Sequence, residues 1–93
     1  MQFEWDPKKA QRNIKAHGVS CKEAATVFGD YFSFTYPDPD HSISEERFIT
    51  IGTSLEGNLL FIAHTDREDR IRIISARKTT RAEQRMYEEE SKS

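Results

Sequence analysis

Apolar and polar positions alternate with two different periods along this chain, and the switches between them divide it into elements. Gln2 to Trp5 alternates polar with aromatic and predicts a short first strand. Asp6-Pro7 then opens a helix: Asp accepts from first-turn N–H groups, and Pro has its φ already set for the first helical position. That helix runs to about His17, where Gly18 supplies the left-handed residue that ends it. Ser20 and Glu23 have the Ser-x-x-Glu spacing of a capping box, which starts a second short helix through Phe28. Its inward residues are Ala24, Val27 and Phe28, and Gly29-Asp30 stops it.

From there the period is that of strands. Tyr31 to Tyr36 alternates aromatics with Ser and Thr, and Pro37 to Ser44 reads as a loop without period. Arg47 to Thr53 is a strand with Ile49 and Ile51 on one side and Phe48 and Thr50 on the other. Glu56-Gly57 forms a hairpin turn into a strand from Asn58 to Thr65. The tight turn Arg67 to Asp69 leads into a last strand, Arg70 to Arg77, whose isoleucines fall on both faces and suit a covered position. Thr80-Arg81-Ala82-Glu83 is a second capping box, opening a C-terminal helix with Met86 or Tyr87 inward. The order β-α-α-β-β-β-β-α predicts an α+β fold: a small antiparallel meander, two N-terminal helices on one face and one C-terminal helix, the other face partly open. With no internal repeat or linker, residues 1–93 are read as a single domain.

Composition narrows the classes. At 35% hydrophobic and 32% charged, with clustered apolar residues, the chain reads as globular rather than disordered. A lone cysteine, Cys21, excludes an intrachain disulfide framework and a multi-cysteine zinc site. No apolar run is long enough to span a bilayer and the N-terminus has no signal-peptide pattern, so no membrane partner and a cytoplasmic location are expected.

The net charge of −2 conceals a strong asymmetry. The middle of the chain is acidic, whereas Arg67, Arg70, Arg72, Arg77, Lys78, Arg81 and Arg85 face only Glu68, Asp69 and Glu83 over the same stretch. A strand and a helix start that both carry guanidinium groups form a surface suited to gripping phosphate, helped by the free N–H groups of the helix N-terminus. Arg72 and Arg77 are the leading candidates, with Arg67, Lys78 and Arg81 as further phosphate contacts; the bland alternative is a solvated, ion-paired face. Simple alternation puts Arg72 and Arg77 on opposite faces unless the alternation lapses.

Proton-transfer candidates are fewer. His64, near the end of an apolar strand, is the one side chain there that titrates near neutrality, as an acid or as a hydrogen-bonded structural histidine. Glu46, beside Arg47, is a candidate base or an ion-pair partner. Tyr87 is a candidate acid, a base-stacking ring or a core tyrosine. Trp5, His17 and His41 read as structural. The scattered histidines offer no metal-ligand spacing and the isolated glycines no phosphate-cradling loop, so neither a metal nor another cofactor is expected.

Four strings carry a resemblance to a known family: FEWDPKKAQRNIKAHGVS (Phe3 to Ser20), EAATVF (Glu23 to Phe28), DPDHSISEERFITIG (Asp38 to Gly52) and RIISARKTTRAEQRMYE (Arg72 to Glu88). In that order and spacing the chain resembles the BrnT toxins of type II toxin–antitoxin systems, departing at Cys21, where an aromatic is expected, and in a short Arg67–Asp69 turn. The resemblance implies a RelE-like fold, RNA cleavage with growth arrest, and neutralisation by a BrnA-like ribbon-helix-helix antitoxin, with operator DNA contacted only through that antitoxin. Residues and resemblance together point to a metal-independent endoribonuclease: Arg72 and Arg77 for charge, Glu46 as base, His64 or Tyr87 as acid. The alternative is a non-catalytic nucleic-acid- or protein-binding module using the basic face.

Overall fold

The computed structural model describes residues 1–92. Strand β1 (Gln2–Glu4) leads into helix α1 (Pro7–His17) and helix α2 (Cys21–Thr26), which tightens into a 3-10 turn at Val27–Gly29. Strand β2 (Phe34–Pro37), a second 3-10 turn (Pro39–His41), strands β3 (Phe48–Thr53), β4 (Leu59–Arg67) and β5 (Arg70–Lys78), and helix α3 (Arg81–Ser91) follow. The α+β class and the element order are those the sequence predicts. None of the described helices is long and apolar enough to cross a membrane.

Local chemistry explains the boundaries. The Asp6 carboxylate accepts from the N–H groups of Lys8 and Lys9 at 2.9 and 3.3 Å, and Gly18, at φ +69°, ends α1 by donating to the Ile14 carbonyl. Thr80 and Glu83 complete the full capping box of α3. At α2 only half of the box forms. Ser20 accepts from the Glu23 N–H, but the Glu23 side chain instead accepts from the Ser54 hydroxyl at 2.7 Å and the Asn58 amide at 2.8 Å, tying α2 to the β3–β4 hairpin.

The five strands lie in the order β1-β5-β4-β3-β2. Strands β2 to β5 form the antiparallel meander, but β1 pairs parallel to β5, Gln2 opposite Arg70. An all-antiparallel sheet is thus corrected at one edge: β2 runs opposite to β1, and the three reversals of the meander bring β5 back to the direction of β1. On one face α1, α2 and the first 3-10 turn cover a core of Val19, Ala24, Val27, Leu60, Ile62, Ile73 and Ala76, with the Cys21 thiol buried among them. Burial pushes that thiol's pKa up. On the other face, Thr53 and Arg77 bond to residues of α3, which crosses the sheet there. Ile49 and Ile51, which by strand alternation point to this second side, are buried as well.

One polar side chain ties these layers together. The buried Asn13 amide donates to the carbonyls of Val19 (2.9 Å) and Ala76 (2.8 Å) and accepts from the Ala76 N–H (3.1 Å). It thereby pairs with the edge of β5 beyond the reach of β1, as a neighbouring strand would. Next to it β5 carries a bulge: Ser75 opposes Ala63 and Ile73 opposes His64, so Ile74 has no partner across the pair. Replacing Asn13 by Ala strands three buried backbone groups, and equilibrium urea denaturation should show a loss of roughly 2–4 kcal/mol with little change in m.

Candidate functional site

Opposed residues of an antiparallel pair project to the same side of the sheet. Ile73, opposite His64, faces the α1–α2 layer, and so does Ala76. The extra residue at the bulge therefore resets the alternation and turns Arg72 and Arg77 to the same face, the one away from α1. They remain apart, roughly 13–16 Å along the strand. Arg72 donates to the Glu4 carboxylate at 2.6 Å on β1, whereas Arg77 lies beside the start of α3.

Around Arg77 the second face opens into a groove of about 290 Å³. Ile49, Phe61, Ala63 and Ser75 line it together with Arg77, Arg47, Asp38 and His41. The guanidinium of Arg77 sits 3.9 Å above the Phe61 ring centroid and donates to both Glu83 oxygens at 2.8 and 2.9 Å. These bonds raise the Arg77 pKa and hold the Glu83 carboxyl below its ordinary range. Glu83 and the Lys78 carbonyl take three of the five guanidinium donors. What remains is Nε–H with one Nη2 hydrogen, the side edge of the fork, which matches two oxygens of a phosphate.

The opposite wall is the segment between β2 and β3. It is closed by its own bonds: Asp38 N–H to the Arg47 carbonyl (2.8 Å), Ser42 hydroxyl to the Asp38 carbonyl (2.7 Å) and Arg47 N–H to the Ser42 hydroxyl (2.9 Å). Within it, His41 Nδ1 lies 2.9 Å from Asp38 Oδ2, a pair that fixes the imidazole and leaves Nε2 without a partner among the described residues. The Arg47 guanidinium forms no ion pair among them either. Two guanidinium groups and a carboxylate-oriented imidazole thus share one groove, a set able to hold a phosphodiester and move a proton beside it.

Several expected site residues stand elsewhere. His64, expected beside the cations, is on the opposite face, 3% exposed, between the rings of Phe28 and Phe48. Its Nε2 shares a 2.7 Å hydrogen bond with the Thr50 hydroxyl, which lies 2.6 Å from that of Thr35. Its Nδ1 is buried without a hydrogen bond among the described residues, 3.9 Å from the Asp66 carboxylate. Burial lowers the His64 pKa, Asp66 opposing. The Tyr87 hydroxyl donates to Asp30 at 2.6 Å and accepts from Thr53 at 3.3 Å, docking α3 on the sheet rather than reaching the groove. Burial, then the bond to Asp30, raises the Tyr87 pKa. Glu46 is exposed just ahead of β3, its backbone carbonyl accepting from Thr65 at 2.7 Å. Arg67 meets Glu45 at 3.4 Å at the exposed hairpin end, and Lys78 and Arg81 are exposed at the start of α3.

In the sequence, His41 reads as structural, Asp38 falls in an aperiodic loop and Arg47 stands only as the start of a strand and an ion-pair partner of Glu46. The i, i+3 spacing of Asp38 and His41 around Pro39 was the available signal. A larger groove of about 570 Å³ runs beside α2, lined by Met1, Phe3, Ala25, Phe28 and Leu55 among others. Its single ionisable side chain, Asp30, is already occupied by Tyr87 and two backbone N–H groups, so it offers no comparable chemistry.

Comparison with known proteins identifies the family and the fold. The sequence model of the family described as "Ribonuclease toxin, BrnT, of type II toxin-antitoxin system" matches residues 5–83. That puts the chain among the ribonuclease toxins of type II toxin–antitoxin systems. Within that class, it belongs to the BrnT family. Its fold is similar to the 1.1 Å crystal structure of the Brucella abortus ribonuclease toxin BrnT, with a TM-score of 0.68 at 19% identity, covering 87% of this chain and 99% of that one. No curated protein matches.

The buried His64 makes stability depend on pH. Its folded pKa is depressed, so the unfolded chain binds the proton more readily. Stability is present above the unfolded value of about 6.5 and is lost as pH falls below it, with a slope of up to about 1.4 kcal/mol per pH unit. Thermal midpoints between about pH 7 and pH 5 should fall for the wild type and stay nearly flat for His64→Gln.

Proposed function

We propose that the chain is a metal-independent endoribonuclease whose reacting groove lies between Arg77 and the Asp38–His41 pair. RNA carries its own nucleophile, so the protein has to hold the phosphate and transfer a proton. His41 Nε2 takes the proton of the ribose 2′-OH while Asp38 holds Nδ1. O2′ attacks the adjacent phosphorus, and the bond from phosphorus to O5′ breaks. Water at the groove mouth protonates the leaving O5′ and regains its proton from the His41 imidazolium, giving a 2′,3′-cyclic phosphate, a 5′-OH and neutral His41. The free edge of Arg77 and the unpaired Arg47 hold the two non-bridging oxygens as charge builds on them. The observation that carries this reading is that a carboxylate-oriented imidazole lines one groove together with Arg47 on its own wall and Arg77 on the other. In this scheme Glu46, His64, Arg72 and Tyr87 support the fold or the approach of the substrate, and Arg67, Lys78 and Arg81 meet flanking phosphates.

RNA as substrate and an antitoxin as partner follow from the family. That the antitoxin is a BrnA-like ribbon-helix-helix protein, that DNA is reached only through it and that the toxin works in the cytoplasm belong to the proposal; the strings shared with the family support them. A non-catalytic binding module is the second reading. It is favoured by the carboxylate already bonded to each of Arg67, Arg72 and Arg77.

Incubating the purified protein with total RNA in EDTA distinguishes the two. Cleavage is expected, falling about 10²–10³-fold in Arg77→Ala and about 10²–10⁴-fold in His41→Ala, with His64→Gln close to wild type at neutral pH. Binding that weakens steeply with salt and yields no cyclic-phosphate ends would establish the second reading instead.

A further inference from the structure

The strand that borders the groove carries a feature the cleavage scheme does not use. Phe34 and Tyr36 of β2 stack with ring centroids 6.0 Å apart and planes 24° from parallel. Tyr36 opposes Ile49 and Phe34 opposes Ile51, so both rings project to the face that holds Arg77. Ile49 is part of the groove floor. The Tyr36 ring therefore stands at the groove's rim, on the sheet edge away from β5. Its hydroxyl makes no hydrogen bond among the described residues, and the Asp38, Glu83 and Arg77 charges act on it. Burial first, and then Glu83 and Asp38, raise its pKa, so the phenol stays neutral.

The groove itself is small. About 290 Å³ is at the lower end of the range for ligand pockets and suits a single nucleotide rather than a duplex. Phe61, the phenyl ring in its lining, has one face covered by Arg77. A base next to the held phosphate must lie elsewhere, and Tyr36, directly across from the groove residue Ile49 and backed by Phe34, offers an aromatic face on the same side of the sheet.

Resting on the ribonuclease reading above, we propose that Tyr36, supported by Phe34, is a base-stacking subsite that receives an unpaired base flanking the held phosphate, so that the substrate is single-stranded RNA. Stacking needs a π-face and little else, which makes the subsite tolerant of base identity. A base within an A-form helix keeps its stacking partners and cannot turn onto the ring.

A short 2′-O-methyl RNA, which binds without being cut, tests this directly against a version with the same phosphates but abasic sugars. Wild type should hold the base-bearing strand about tenfold more tightly, the scale of one stacked base. Tyr36→Phe should keep that ratio, while Tyr36→Leu should bring it near one without weakening binding of the abasic strand. Annealing the strand to its complement should cost wild type the same advantage. Thermal melts of Tyr36→Leu and a parallel Tyr31→Leu variant control for folding. An unchanged ratio in Tyr36→Leu, a ratio of one in wild type, or equal binding of duplex and single strand each overturns the subsite. The ribonuclease reading is judged separately, by the appearance of cyclic-phosphate ends on unmodified RNA.

Discussion

The pairing of the Asn13 amide with the backbone of Ala76 is the contact on which the rest of this architecture turns. Strand β1 is too short to cover the whole of β5, and an uncovered, buried strand edge is costly in unpaired N–H and C=O groups. A side-chain amide has one donor group and one acceptor in the geometry of a peptide, so it can close the edge where no strand runs. Doing so pins α1 at one height along β5. The same amide holds the Val19 carbonyl, so the turn into α2 is fixed by the same residue.

That anchoring explains why a bulge is tolerated at Ile74. Without the extra residue, regular alternation along β5 would turn either Ala76 away from the helical core or Arg72 away from the face of Arg77. With it, small and apolar side chains meet the helices while both arginines point outward. The site is therefore a by-product of how β5 is packed: one register irregularity sorts core from chemistry. Glu83 couples the two further. A single carboxylate caps the first turn of α3 and neutralises Arg77, so the position of the helix and the orientation of the guanidinium are set together.

Where the chain signalled its structure locally, the sequence was legible. Asp6-Pro7, Gly18 and the Thr80–Glu83 box act within a few residues of themselves, and each lies where its chemistry says. The order of elements along the chain followed from period, and the helical cover of one face from the layers such an order can pack into. What escaped was non-local. Nothing in Gln2–Glu4 announces a parallel partner some seventy positions onward, since that pairing depends on where α1 delivers the chain. Glu23 has the spacing of a cap but is drawn to Ser54 and Asn58, groups far away in sequence. His64 is one step of an alternating strand, and which face is dry depends on helices packed from elsewhere. His41 looked bland because its significance lies in a loop fold that Asp38, Ser42 and Arg47 create only by closing on one another. The cationic strand was read correctly as a concentration of charge, but its internal division into ion-paired and available guanidinium groups rests on tertiary neighbours.

Cys21 gives this packing a chemical consequence. The chain's single sulfhydryl sits under the N-terminal helices, and burial keeps it protonated, so oxidants and alkylating reagents find little thiolate to attack. Modification then has to wait for that layer to lift. The molecule thus contains its own clock for rare openings, wound by the same helices that shape the back of the sheet.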